Sequence, residues 1–221
     1  MKSRRSKMPY VAFCFSTRRL CLPALLTWIS LAFFTISSSA LDPSRQISQY
    51  AHTAWRVSDG FFNGTPQAIA QTADGYLWIG TEAGLVRFDG VRFVPWSAPN
   101  GQHLPSARIH SLLGTRDGSL WIGTSRGLVK WSHLKLTVIQ GGSAFIESLV
   151  EGPQGRVWVS RSQLHDHAGP LCEVAEDTLH CHGASEGIPF AFAQPLFGDP
   201  QGNLWFGSSL GVGRWASGEV K

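Results

Sequence analysis

The stretch DGYLWIGTEAGLVRF, Asp74–Phe88, returns 43 residues later as DGSLWIGTSRGLVKW, Asp117–Trp131, with most positions identical. Two weaker copies follow, QGRVWVS at Gln154–Ser160 and QGNLWFGSSLGVGRW at Gln201–Trp215. The marker tryptophans Trp78, Trp121, Trp158 and Trp205 are spaced by 43, 37 and 47 residues. A period of roughly 40–45 residues filled with strand-forming segments is that of a four-stranded propeller blade.

Within one period the strands follow from alternation and turn residues. Ile69–Gln71 is apolar and runs into Asp74-Gly75, a turn signal. In the next strand Leu77, Ile79 and Thr81 face one way, Trp78 and Gly80 the other. Leu85–Phe88 and Val91–Trp96 complete four antiparallel strands, separated by Glu82–Gly84 and Asp89-Gly90. A sheet with two apolar faces needs a neighbour on each. The tryptophans are therefore assigned to the space between blades rather than to carbohydrate stacking, and Gly80 and Gly123 to making room there. Asp74 and Asp117 read as turn formers, not catalytic acids.

The reading is all-β: a β-propeller of about four four-stranded antiparallel blades, near 65–100, 106–141, 144–185 and 190–221. Blade 3 is the most degenerate, and the fourth strand of blade 4 is missing or reduced to Glu219–Lys221. Residues 41–64 form an N-terminal strand and loop, in which Gln49–Trp55 alternates well enough for a strand without a partner of its own.

Charge separates the first 40 residues from the rest. They hold Lys2, Arg4, Arg5, Lys7, Arg18 and Arg19 and no acid, then an apolar run from Leu20 to Ile36, then Ser37–Ala40. That order reads as a secretory signal peptide cleaved between Ala40 and Leu41, with an uncleaved membrane anchor as the alternative. The leader takes six of the 19 basic residues and leaves 13 against 15 acids, so the mature domain is not basic. Nucleic acid is thereby excluded as a partner. The expected location is periplasmic or extracytoplasmic.

Cys172 and Cys181 lie in a segment reading as a hairpin with its turn near Ala175–Thr178. If they face each other, export to an oxidising compartment favours a disulfide; two buried thiols are the alternative. His165 with His167, and His180 with His182, are two apart and could chelate on a strand, but outer-strand placement reads them as surface residues. Neither metal nor cofactor is expected. Arg108 and His110 open an innermost strand beside the channel and are the candidate ligand contacts.

The pattern D-G-x-L-W-I-G-T-x-x-G-L-x-x-F/W resembles the two-component regulator propeller repeat, and Gln49–Gly75 resembles the start of such sensors. The resemblance covers roughly Ile47–Trp215. It implies the extracytoplasmic ligand-sensing region of a bacterial histidine kinase, hybrid kinase or diguanylate cyclase, within a propeller that is usually seven-bladed. The implied partners are an extracellular ligand, of which oligosaccharide is the suggested class, further blades, and an output domain. The chain has no kinase boxes, receiver domain or Gly-Gly-acid cyclase motif, so it is not itself expected to be an enzyme. The expectation is an open arc with Gln49–Trp55 loosely packed, a bare blade face at each end, and poor solubility in isolation. The alternatives are a stand-alone secreted binding module and, from QGNLWF at Gln201–Phe206, a streptogramin lyase-like enzyme.

Overall fold

Alternation along each strand sorts the side chains of every blade into two layers, and those layers build the arc. The computed structural model describes residues 53–141, 144–162, 168–188 and 192–216, with the backbone of 219–220. The leader, the Ala40–Leu41 cleavage site, most of Gln49–Trp55 and the His165/His167 pair lie outside the described residues.

Blade 1 comprises β1 (Pro66–Gln71), β2 (Leu77–Thr81), β3 (Gly84–Phe88) and β4 (Phe93–Trp96), and blade 2 β5 (Ile109–Gly114), β6 (Leu120–Thr124), β7 (Gly127–Ser132) and β8 (Lys135–Val138). Blade 3 comprises β9 (Phe145–Glu151), β10 (Val157–Ser162), β11 (Leu171–Ala175) and β12 (Thr178–His182), and blade 4 β13 (Leu196–Gly198), β14 (Leu204–Ser208), β15 (Gly211–Ala216) and β16 (Glu219–Val220). Each blade is one antiparallel four-stranded sheet in chain order. The fourth blade is thus completed by a two-residue strand. Consecutive blades meet mainly through their first strands, which form the inner wall.

The turns follow local chemistry. Ala175 pairs with Thr178 across Glu176 and Asp177, both at positive φ, the geometry of a two-residue hairpin turn. The Asp-Gly pairs sit in longer loops: Gln71 pairs with Leu77, and the Thr72 N–H donates to the Tyr76 carbonyl at 3.1 Å.

Each blade's tryptophan face looks forward to the next blade, and its Leu/Ile/Val face looks back. Trp78 and Leu85 of blade 1 pack on Leu120, Ile122 and Val129 of blade 2. Trp121 and Leu128 pack on Val157 and Val159 of blade 3. Trp158 and Leu171 pack on Leu204, Phe206 and Trp215 of blade 4. The glycine two residues after the tryptophan lets the next blade in: a Cβ on Gly80 would stand 2.5 Å from Ile109 Cγ2, and one on Gly123 2.6 Å from Ile146 Cγ2.

Trp78, Trp121 and Trp158 are 4%, 5% and 9% exposed, but Trp205 is 37% exposed. Its face has no blade in front of it among the described residues, and Phe197 and Val212 beside it are 62% and 78% exposed. Trp205 therefore lacks the interblade burial of the other three, in keeping with the bare end face expected of an open arc.

The opposite end is partly covered. The back face of blade 1, with Ile79, Val86 and Phe88, is covered by Phe62 and Phe93. The Trp55 ring stands edge-on to Phe88 and Phe93 with centroids 5.4 Å from each, and the Phe61 centroid lies 5.2 Å from that of Phe93. Residues 53–56 form no strand. Trp55, Phe61 and Phe62 thus cover part of that blade face, while Ile69 on its inner strand stays 65% exposed.

Two further features hold blades 2 and 3. Gln102, in the loop between blades 1 and 2, donates to the Leu136 carbonyl at 3.1 Å and accepts from the Leu136 N–H at 3.3 Å, so one side chain patches the outer edge of β8. The Cys172 and Cys181 sulfurs are bonded, joining β11 to β12 at directly paired positions.

Candidate functional site: the inner rim of the arc

The first strands of blades 1, 2 and 3 share an irregularity near their start. Ladder register shifts between Pro66 and Ala68, between Ile109 and Ser111, and between Ile146 and Ser148, leaving Gln67, His110 and Glu147 as the extra residues. A bulge turns its side chain out of the regular alternation. All three sit at the same end of the inner wall, 11 residues before their blade's marker tryptophan. Gln194 has the same offset from Trp205, and its N–H donates to the Gly207 carbonyl at 2.7 Å. One polar residue per blade therefore occupies an equivalent place at one end of the inner wall.

His110 is the most constrained of the four. Its ring lies 3.9 Å from that of Phe145 in blade 3, and its Nε2 is buried without a partner among the described residues. Burial pushes its pKa below the usual 6.5; Glu147 opposes the shift, Arg108 adds to it, and Glu82 opposes it. The neutral ring thus offers an acceptor that the fold leaves unused. Glu147 is half-buried and oriented by a hydrogen bond from Ser162 Oγ. Arg108 is exposed; its backbone N–H donates to Ser106 Oγ at 3.1 Å, and its charge acts on His110.

Of the residues expected at the channel, His110 lines the rim in the bulge and Arg108 stands beside it. Sequence reasoning missed Gln67, Glu147, Ser162 and Gln194. The signal was present as the recurring polar residue 11 positions before each tryptophan, at a place where the strand pattern alone would put an apolar one. His180 is exposed, and His182 stacks on Trp158 and Trp215 at ring distances of 6.0 and 4.7 Å. Among the described residues no group of three or more His, Cys, Asp or Glu could hold a metal ion. No helix among them is long and apolar enough to cross a membrane. The rim can accept hydrogen bonds at His110, bind cations or donors at Glu147, and pair anions at Arg108.

No match was found among curated protein sequences. Among solved structures, the extracellular domain of a proposed hybrid two-component system, BT4673 of B. thetaiotaomicron, superposes with a TM-score of 0.58 at 16% identity over 72% of this chain and 25% of that one. Virginiamycin B lyase of Staphylococcus aureus gives 0.56 at 15% identity, covering 71% and 54%. A gluconolactonase of Xanthomonas campestris gives 0.53 at 16%, covering 69% and 59%. The chain thus spans a quarter of the first and little over half of the others, and at these identities the likeness concerns the propeller fold alone. Residues 60–83 and 103–126, which hold the second strands and marker tryptophans of blades 1 and 2, match the two-component regulator propeller family. The chain is a β-propeller arc carrying two-component regulator propeller repeats.

Proposed function

We propose that this arc is the extracytoplasmic ligand-sensing propeller of a bacterial signal-transduction sensor whose output, a histidine kinase or diguanylate cyclase, lies outside these residues. The observation that supports this most is the match of residues 60–83 and 103–126 to the regulator propeller repeat. The rim of Gln67, His110, Glu147 and Gln194 supplies the ligand contacts, and the propeller itself performs no catalysis. Further blades cover the exposed face of Trp205, Phe197 and Val212.

A second reading, a free-standing exported binding module, is favoured by Trp55, Phe61 and Phe62, which cover part of one end of the arc with the chain's own residues. The lyase-like alternative has only a likeness of fold. The test joins genetics to biochemistry. Cells lacking the gene are compared with the parent by transcript profiling on single carbohydrate sources. The purified gene product, with whatever kinase co-purifies, is assayed for phosphorylation from ATP and for cyclic-di-GMP synthesis. A nutrient-specific transcript loss together with one of these activities is expected. Unchanged transcripts and neither activity would favour the binding module.

A further inference from the structure

Blade 3 departs from its neighbours around its marker tryptophan, and the departures coincide. Six residues before the tryptophan, blades 1, 2 and 4 carry an oxygen-bearing side chain: Thr72, Thr115 and Asp199. The Trp78 and Trp205 indoles each donate to that residue at 2.9 Å. In blade 3 the position is Gly152, which has no side chain to accept from the Trp158 indole. Cross-strand from the tryptophan the other blades place a cation, Arg87, Lys130 or Arg214, of which Lys130 and Arg214 lie over the indole ring. In blade 3 that residue is Glu173, engaged with Arg156 at 3.1 Å. Finally, blade 1 fills the outer part of its interface with Trp96, packed against Trp78 and Trp131. The equivalent residue of blade 3 is the smaller His182, set against Trp158 and Trp215.

These three replacements leave a cleft of about 400 Å³ between blades 3 and 4, lined by Trp158, Trp215, His182, Arg156, Glu173 and Gln154 among others. Small-molecule sites fall in the range of about 300–1,000 Å³. The walls combine aromatic surface with an indole donor, an amide, and a carboxylate with lone pairs to spare. Arg156 and Glu173 neutralise each other, so the cleft has no net charge to retain an ion. The ligand that fits such a site is an uncharged ring with one apolar face and a hydroxylated edge.

We propose that this interblade cleft, distinct from the inner rim, binds a single pyranose-class sugar ring, with Trp158 donating its indole N–H to a ring hydroxyl and Arg156 and Glu173 holding neighbouring hydroxyls. The inference stands whether or not the arc reports to an output domain.

The test follows indole N–H resonances of the full chain during titration with D-glucose, D-galactose, D-mannose and N-acetylglucosamine. Benzoate serves as a charged ring of similar size. The Trp158 indole signal is expected to move with at least one sugar at millimolar concentration, the Trp78 signal to stay in place, and benzoate to have no effect. Gly152→Thr restores the hydroxyl that blade 1 carries and, at an ordinary negative φ, leaves the backbone unstrained. This variant and Arg156→Gln are each expected to weaken binding about tenfold or more, the scale of one lost hydrogen bond to a polar ligand. A Trp158 signal unmoved by all four sugars, or one that moves with benzoate instead, overturns the ligand class. Undiminished sugar binding by folded Gly152→Thr overturns the location.

Discussion

Trp121 and Trp205 stand at the same place in the repeat, yet the structure gives them different weights. Trp121 is 5% exposed between blades 2 and 3, so Trp121→Ala is expected to cost about 3–5 kcal/mol, the usual range for a large buried aromatic. Trp205→Ala is expected to cost less, because 37% of its surface already faces solvent. Denaturant titration of the two variants checks the contrast. Gly123→Ala is expected to cost about 1–3 kcal/mol in the same assay, since the new methyl would collide with Ser111 Oγ on the neighbouring strand and with Ile146 Cγ2 of the next blade. His110 carries a pH dependence. Its pKa is lowered by folding, so the unfolded chain takes up the proton first. The His110 contribution is full above about pH 6.5 and is lost as the pH falls through that value towards the folded pKa. His110→Asn is expected to flatten the fall in melting temperature between neutral and mildly acidic pH, and an unchanged slope would discount the residue.

At the level of elements, the four-strand order and the two-faced pattern were legible wherever a glycine, a tight turn or strict alternation declared them. Blade 3 was the hardest to read, for physical reasons. Its signals are long-range: Arg161 is fully buried and donates to the carbonyls of Gly169 at 2.9 Å and Gly141 at 3.3 Å, tying two loops distant in sequence. Nothing local distinguishes such an arginine from an exposed one. Ser160, where blades 1 and 2 have glycine, is buried with its hydroxyl unpartnered among the described residues. The Cys172–Cys181 bond closes the outer hairpin of this blade. Replacing both cysteines by alanine is expected to cost about 2–3 kcal/mol for so short a loop. Thermal melts with and without reductant test this: reductant lowers the midpoint of the native chain and leaves that of the double variant in place.

The described blades form an arc with unlike ends, one partly covered by Trp55, Phe61 and Phe62 and the other bare at Phe197, Trp205 and Val212. Exposed apolar surface of this kind drives association. Residues 41–221 made alone are expected to self-associate through that bare face, and Phe197→Lys with Val212→Lys to restore a monomer in sedimentation velocity. A monomeric parent protein would show that the face needs no cover. By itself the sequence determined the blade count, the strand order and which side chains share a face, because the repeat and the period-two alternation are local properties of a strand. Only the tertiary structure decided which face looks forward, that Trp55, Phe61 and Phe62 pack on the back of blade 1, and that Trp205 stays open. It also decided that polar residues of separate blades take equivalent places at one end of the inner wall. Those outcomes depend on what each sheet is packed against, and that partner lies tens of residues away in the chain.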